Sequence, residues 1–204
     1  MPESLRGVDD WHGIRMLVDR PYVVLDTETT GLLEPEIVAV AVVSSDGEAL
    51  LRETVRPAKP IEPEASRITG LDEAAVRDKP EFPAIEPRLT DALAGKLVCI
   101  YNAAYDLKAL ENTYARYALP LPPLETWCVM EWFARVFGVR DARRGDYVWQ
   151  PLSRAAAFFD VKRGAPHDAL DDTLTTWRIL QEAIRRAGLR AAGMTSLFEG
   201  DAPT

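Results

Sequence analysis

Three short segments of this 204-residue chain carry side chains that could bind divalent cations. Asp26 and Glu28 lie in the first, Asp106 in the second, and His167 and Asp172 in the third. Carboxylates are hard oxygen ligands that suit Mg²⁺ or Mn²⁺, and four of them brought together would repel one another unless cations were bound. Two cations about 3.5–4 Å apart can activate water and stabilise a leaving oxygen in phosphodiester cleavage, while a nearby imidazole accepts the proton of that water.

Each segment also has an ordinary structural explanation when it is taken alone. The first could be a solvated turn at the end of a strand. Asn102 could cap a helix that carries Asp106 in its first turn, where the helix dipole favours an acid. Asp168 and Asp171 could be acids at the N-terminus of another helix, and a histidine just before a helix, such as His167, is commonly a capping or solvent-exposed residue. Their occurrence together favours a shared site over these explanations.

The first segment ends a predicted strand, whose alternating side chains would place Asp26 and Glu28 on one face. Open α/β sheets bind ligands at the carboxyl ends of such strands. A β-branched run, a Ser45-Asp46-Gly47 turn and a second run predict a hairpin after it, and a further buried strand precedes Asn102. We therefore predict strands over residues 21–28, 36–44, 49–55 and 97–101.

Helical patterns follow these strands. We predict helices over residues 104–118, 152–159 and 169–187, and a strand or short helix over 127–137. The apolar stripe of the last helix is predicted to comprise Leu170, Leu174, Trp177, Leu180 and Ile184. A hairpin followed by alternating strands and helices indicates an α/β fold, with a mixed sheet covered by helices. We expect one domain over residues 21–188, with an N-terminal extension over 1–20 and a C-terminal tail over 189–204.

The composition is that of an ordinary globular protein, with 47% hydrophobic and 27% charged residues, and it excludes an intrinsically disordered chain. The longest apolar run, Ile37–Val43, is far too short to span a bilayer, so no membrane association is expected. The first ten residues have no apolar core, so we expect no secretory signal and a cytoplasmic protein. Cys99 and Cys128 lack metal-ligand spacing and are expected to be buried free thiols.

The net charge of −8 argues against binding a polyanion, but the charge is unevenly distributed. Residues 135–163, which we call the basic segment, carry seven Lys and Arg against three Asp. This segment could bind the backbone of a single nucleic-acid strand, with Tyr147 and Trp149 available to stack on bases. The alternative is a solvated loop whose aromatic side chains lie in the core.

The three acidic segments resemble, in order and spacing, the three motifs of the DEDDh exonuclease family. They read Asp26-Thr-Glu-Thr-Thr-Gly31, Asn102-x-x-Tyr-Asp106 and His167-x-Ala-x-x-Asp172. The family includes the proofreading epsilon subunit of bacterial DNA polymerase III and its stand-alone relatives. The resemblance extends over residues 20–187, and Ile68-Thr-Gly-Leu71 is similar to the family's connecting segment.

The resemblance implies a ribonuclease H-like fold, in which a mixed five-stranded sheet is flanked by helices. It also implies a two-metal-ion 3′–5′ exonuclease that removes nucleotides from DNA 3′ ends and releases 5′-mononucleotides, in proofreading or repair. The ligands for Mg²⁺ or Mn²⁺ would be Asp26, Glu28, Asp106 and Asp172. His167 would be the general base, because a histidine at this position, rather than a tyrosine one position nearer the final Asp, selects the DEDDh over the DEDDy subclass.

The same resemblance implies a set of substrate-binding residues. They are Thr29, Thr30, Gly31, Leu32, Asn102 and Tyr105. The backbone of the first four would receive the terminal nucleotide, with Leu32 packed against its base, and Tyr105 would lie near the scissile end. The chain departs from the family at Tyr101, where a histidine commonly precedes the asparagine.

The tail Met194-Thr-Ser-Leu197-Phe198 resembles the short clamp-binding peptide that follows the epsilon exonuclease domain. Met194 stands where that peptide usually begins with glutamine. A DNA polymerase or sliding clamp is therefore a possible partner through Met194, Leu197 and Phe198, and a packed or floppy tail is the alternative.

Three other functions remain open from the sequence. The first is an RNA 3′-end-trimming exoribonuclease, since the same motifs serve both nucleic acids. The second is a non-catalytic accessory that binds a polymerase or clamp through a nuclease fold. The third is an acidic cluster that holds only a structural cation. The complete set of four carboxylates with His167 favours an enzyme over the last two.

Overall fold

A computed structural model describes residues 12–143 and 145–188. Its centre is a five-stranded sheet, in which β1 pairs antiparallel with β2 and parallel with β4. The outer strands β3 and β5 pair antiparallel with β2 and parallel with β4, giving the order β3-β2-β1-β4-β5. The strands are β1 (Tyr22–Thr29), β2 (Ile37–Ser44), β3 (Ala49–Thr54), β4 (Leu97–Ile100) and β5 (Glu125–Cys128). The predicted mixed five-stranded sheet is confirmed.

The helices cover both faces of this sheet. They are α1 (His12–Arg15), α2 (Pro63–Thr69), α3 (Glu73–Val76), α4 (Phe82–Leu93), α5 (Ala103–Arg116), α6 (Val129–Phe137), α7 (Leu152–Phe159) and α8 (Ala169–Arg186). Val23 and Leu25 of β1 pack with residues of α4 and α5, whereas Tyr22 and Val24 pack with residues of α6, α7 and α8. Successive strand side chains point to opposite faces, so a strand buried on both sides reads as a continuous apolar run.

Part of the predicted N-terminal extension packs against the body of the protein. Ile14 and Leu17 are buried in the same core cluster as α8 residues Ile179 and Leu180. The predicted boundary at residue 20 therefore separates residues that share one core. The predicted tail over 189–204 lies outside the described residues.

Two further expectations concern cysteines and membranes. Cys99 is buried, Cys128 is partly buried, and both are free thiols. Among residues 12–143 and 145–188, the structure contains no helix with the length and apolar character needed to cross a bilayer.

Candidate active site

The central strand places Asp26 and Glu28 on the face that α8 covers. Both lie opposite small residues of the neighbouring strand β2, Asp26 opposite Ala41 and Glu28 opposite Ala39. The two alanines pack against Ala169 at the start of α8. Because these side chains are so small, the N-terminus of α8 lies close to the two carboxylates.

Asp106 reaches β1 from the opposite side, in the first turn of α5. Its carboxylate is buried, and its Oδ1 accepts hydrogen bonds from the backbone N of Thr27 at 2.9 Å and from Thr27 Oγ1 at 2.8 Å. Thr27 lies between Asp26 and Glu28, so its side chain points to the α5 face while theirs point to the α8 face. The central strand β1 thus positions three carboxylates, those of Asp26, Glu28 and Asp106, at its carboxyl end. The sequence motifs alone gave no signal for the role of Thr27.

Asp172 lies in the first turn of α8 and is buried. Its Oδ2 accepts a hydrogen bond from the backbone N of His167 at 3.0 Å, and its Oδ1 accepts one from Arg163 Nη2 at 3.0 Å. Asp168, one of the acids with an ordinary explanation, is the helix cap: its Oδ1 accepts from the backbone N of Leu170 and of Asp171.

His167 lies at the exposed edge of this cluster. A ring nitrogen of His167 and carboxylate oxygens of Glu28 and Asp172 all lie within 4.8 Å of one another. The backbone of His167 has a φ of 61°, in the left-handed region, which non-glycine residues seldom adopt. Such conformations persist where the surroundings enforce them, and here the bond from the His167 N to Asp172 does so.

Burial and mutual repulsion change how the carboxyl groups titrate. Burial, reinforced by the charges of Asp106, Glu28 and Asp172, raises the pKa of Asp26 well above its ordinary value. Burial raises the pKa of Glu28 to about 8, with Asp172 and Asp106 adding repulsion. Burial raises the pKa of Asp106 to about 7, although the hydrogen bonds from Thr27 oppose this. Crowded carboxyl groups with raised pKa values are typical of functional sites.

A second buried acid shows what a purely structural carboxylate looks like here. Glu36 accepts hydrogen bonds from the backbone N of Ala58 and Lys59 and from Arg116 Nε. Glu28 is also buried, but in the part of the chain that the structure describes its side chain has no such donor. Buried charges are ordinarily paired or coordinate metals. An all-oxygen donor set of carboxylates therefore fits hard divalent cations.

Four of the predicted substrate-binding residues, Thr29 to Leu32, form the turn at the end of β1, and Tyr105 contacts this turn from α5. Tyr105 Oη donates a hydrogen bond to the Gly31 carbonyl at 3.0 Å and lies 2.5 Å from Thr29 Oγ1. Thr30 is fully buried and its backbone groups bond to Glu36 and Glu62, so it shapes the turn rather than facing solvent.

The other two substrate-binding candidates are open to solvent. Leu32 is 79% exposed, beside the equally exposed Leu33. Asn102 occupies the N-cap position of α5, but its side chain makes no capping hydrogen bond. Its exposed amide is therefore available to bind substrate.

The chain matches the family model RNase_T, described as Exonuclease, over residues 23–180. The chain belongs to this exonuclease family. It is a 3′–5′ exonuclease of the DEDDh type, as its three motifs indicate, and its sheet is that of the ribonuclease H-like exonucleases.

Two curated relatives illustrate the range of the family. The exonuclease is 32% identical over 174 residues to the uncharacterized exonuclease CP81 of Escherichia phage 186, covering 81% of this chain and 89% of that protein. It is 26% identical over 117 residues to DNA polymerase III subunit epsilon of Escherichia coli K12, covering 52% of this chain and 48% of that subunit. It thus matches about half of the epsilon subunit.

A solved structure is similar over most of the exonuclease. This is Exonuclease X in complex with 5′ overhanging duplex DNA, with a TM-score of 0.63 and 27% identity. The match covers 83% of this chain and 95% of Exonuclease X.

Tyr101, the departure from the family pattern, is buried under the loop before α7. Its Oη donates a hydrogen bond to the Gln150 carbonyl at 2.9 Å. The bond joins the end of β4 to the basic segment, whose Trp149 is 56% exposed. Tyr147, the other predicted stacking residue, lies beneath the Arg140 guanidinium, 4.8 Å from ring centroid to Cζ.

Proposed function

We propose that this exonuclease removes nucleotides one at a time from the 3′ ends of DNA, with two divalent cations, Mg²⁺ or Mn²⁺, in its active site. The observation that carries the proposal is a group of four carboxylates, three of them buried, that repel one another at the carboxyl end of β1. Two of them, Glu28 and Asp172, also lie within 4.8 Å of each other and of His167. Asp26, Glu28, Asp106 and Asp172 would hold the cations. When bound, the cations would activate water and neutralise charge on the leaving oxygen.

His167 is the proposed general base. Its exposed ring lies beside Glu28 and Asp172, at the side of the cluster from which water and substrate can enter. A water oxygen attacks the phosphorus atom of the last phosphodiester, the water proton passes to the imidazole, and the bond from phosphorus to the 3′ oxygen breaks. The departing 3′ oxygen takes up a proton from solvent. The products are a 5′-mononucleotide and a strand one nucleotide shorter with a 3′-hydroxyl.

The turn after β1 is the proposed site for the terminal nucleotide. Burial raises the pKa of Tyr105, so its phenol stays protonated and holds the Gly31 carbonyl. This bond fixes the turn that presents Leu32, whose exposed side chain would pack against the terminal base. Asn102 would contact the substrate from the start of α5.

The basic segment is the proposed track for the rest of the strand. The Tyr101–Gln150 hydrogen bond anchors this segment at the carboxyl end of β4, the neighbour of β1. Trp149 offers an exposed aromatic surface there, on which a base could stack. Arg140 and Arg143 are exposed cations of the same segment.

A role in DNA proofreading or repair is supported by the similarity to the epsilon subunit and to Exonuclease X. Association with a polymerase or sliding clamp would use Met194, Leu197 and Phe198, which lie outside the described residues. The free thiols fit a reducing compartment such as the cytoplasm.

The test uses matched DNA and RNA strands labelled at either end, with Mn²⁺, Mg²⁺ or EDTA, and the D26A variant as control. We expect laddering from the 3′ end of single-stranded DNA, dependent on a cation and absent in D26A. Faster trimming of RNA would assign the exoribonuclease function instead. Equal activity of D26A and wild type would show a contaminating nuclease, and no laddering with any cation would overturn the enzymatic proposal.

A further inference from the structure

Arg163 forms an ion pair with one of the proposed cation ligands. Its Nη2 lies 3.0 Å from Asp172 Oδ1, and the two side chains are only 28% and 11% exposed. The other oxygen of Asp172 accepts the backbone N of His167. Both oxygens of this carboxylate are therefore occupied by donors from the chain itself.

The pairing leaves Arg163 incompletely satisfied. Its Nε is buried and has no hydrogen-bond partner among the described residues. A buried donor without a partner costs free energy, and arginines that serve only a structural role usually have their buried donors bonded. Attraction to the charge of Asp172 therefore explains the position of the Arg163 guanidinium better than full hydrogen bonding does.

The backbone beside Arg163 holds it close to α8. A Cβ at Gly164 would lie 2.3 Å from Asp171 Cγ, so only glycine allows this approach. The next residue, Ala165, donates its backbone N to Asp171 Oδ2 at 2.7 Å. The guanidinium is therefore tethered within reach of Asp172.

We propose that Arg163 is an internal counter-charge that occupies Asp172 in the metal-free enzyme and is displaced when a cation binds there. The proposal rests on the assignment of Asp172 as a cation ligand. A guanidinium and a divalent cation repel each other, so Asp172 Oδ1 exchanges one for the other. Without metal, the positive charge of Arg163 reduces the repulsion among the four carboxylates. It also weakens the affinity for a cation, because the Arg163–Asp172 ion pair must break before the cation binds.

The test is isothermal titration of the EDTA-treated full chain with Mn²⁺, without nucleic acid. We expect R163Q to bind Mn²⁺ about three- to fivefold more tightly than wild type, the upper part of the range that corresponds to a partly exposed ion pair. R163K should bind as wild type does, since it keeps the charge. The matched control is R52Q, because Arg52 pairs with Asp168, which is no proposed ligand, and we expect its affinity within twofold of wild type.

A merely structural role for Arg163 gives the opposite result. Unchanged or weaker Mn²⁺ binding by R163Q with a native circular dichroism spectrum would overturn the inference. If D172N bound Mn²⁺ as tightly as wild type does, Asp172 would not be a cation ligand, and the assignment on which the inference rests would be wrong. A measurement on wild type is independent of variant folding: the NMR signal of Arg163 Nε–H should shift when Mg²⁺ is added while that of Arg52 stays, and an unmoved Arg163 signal would also overturn the inference.

Discussion

Thr27 and Asp106 tie the central strand to helix α5 through a single carboxylate oxygen. The backbone N and Oγ1 of Thr27 both donate to Asp106 Oδ1. Because both hydrogen bonds go to Oδ1, Asp106 Oδ2 is available to a cation. The two hydrogen bonds also fix the distance between α5 and β1. It also opposes the increase in the Asp106 pKa that burial causes.

Removing the Thr27 hydroxyl should therefore weaken the site. We predict that T27V lowers the exonuclease rate about tenfold and the free energy of unfolding by about 1 kcal/mol, the usual value of one hydrogen bond. T27S retains the hydroxyl and is the control. Single-turnover rates and urea unfolding check both effects, and a T27V rate equal to that of T27S would show that the hydroxyl has no role in positioning Asp106.

Replacing His167 should affect the chemistry more than cation binding. We predict that H167A reduces the rate by about 10²–10⁴-fold, the usual contribution of a general base, with Mn²⁺ affinity mostly kept. The backbone bond from residue 167 to Asp172 survives the substitution. Rates and Mn²⁺ titration are compared on one preparation. A near-normal rate would refute the role as base, and loss of Mn²⁺ binding would make His167 a ligand.

Leu32 and Leu33 form a matched pair for testing the nucleotide site. Both side chains are almost equally exposed, at 79% and 78%, so neither contributes much to stability. We predict that L32A raises KM for a single-stranded oligodeoxynucleotide about 5- to 30-fold, which corresponds to the roughly 1–2 kcal/mol expected from burying part of a leucine side chain, whereas L33A leaves KM unchanged. Equal effects in the two variants would contradict the assignment of Leu32 to the terminal base.

The raised pKa values predict that the metal-free protein loses stability as pH rises. Unfolded carboxyl groups titrate near pH 4, whereas Glu28 and Asp106 have pKa values of about 8 and about 7 in the folded chain. Between these limits the folded state holds protons that the unfolded state has released, so the free energy of unfolding falls with increasing pH. We expect a loss of several kcal/mol from pH 5 to pH 8 in EDTA, seen as a decrease in Tm.

Divalent cations should reverse this pH dependence. Mn²⁺ replaces the protons at high pH, so the increase in Tm on adding Mn²⁺ should be larger at pH 8 than at pH 5. Scanning calorimetry at both pH values with and without Mn²⁺ checks this. A metal-free Tm that does not change over this range would show that the carboxyl groups titrate normally.

The sequence predicted β1 to β4 and the helices α5, α7 and α8, because hydrophobic periodicity reports burial on a sheet. It left residues 127–137 open between a strand and a helix, where the structure has the end of β5 and α6, and it gave no bounds for α1 to α4. It predicted the acidic residues as a group because their motifs resemble a known family. The face of α8 was predicted less well: Thr173 and Thr176 are buried, while Leu170, Leu174 and Trp177 are only partly buried. Threonine is buried there because its hydroxyl bonds within the helix, as Thr173 Oγ1 does to Ala169 O, and helical periodicity does not report this.

Two features of the site were beyond sequence reasoning. In the sequence, Thr27 is only the residue between Asp26 and Glu28, whereas in the structure it donates hydrogen bonds to Asp106. Arg163 was assigned to the basic segment, yet the structure pairs it with Asp172. Both depend on contacts between distant elements or on a loop conformation, which residue types and spacing do not encode.

The most direct test of the carboxylate site is single-turnover hydrolysis of a 3′-labelled single-stranded oligodeoxynucleotide in Mn²⁺. We predict that each of D26N, E28Q, D106N and D172N slows the release of 5′-mononucleotide by about 10³-fold or more, because each removes a cation ligand. D46N, which changes an acid in the turn between β2 and β3, should stay within twofold of wild type. If any of the four variants kept more than one tenth of the wild-type rate, that residue would not be part of the catalytic carboxylate set.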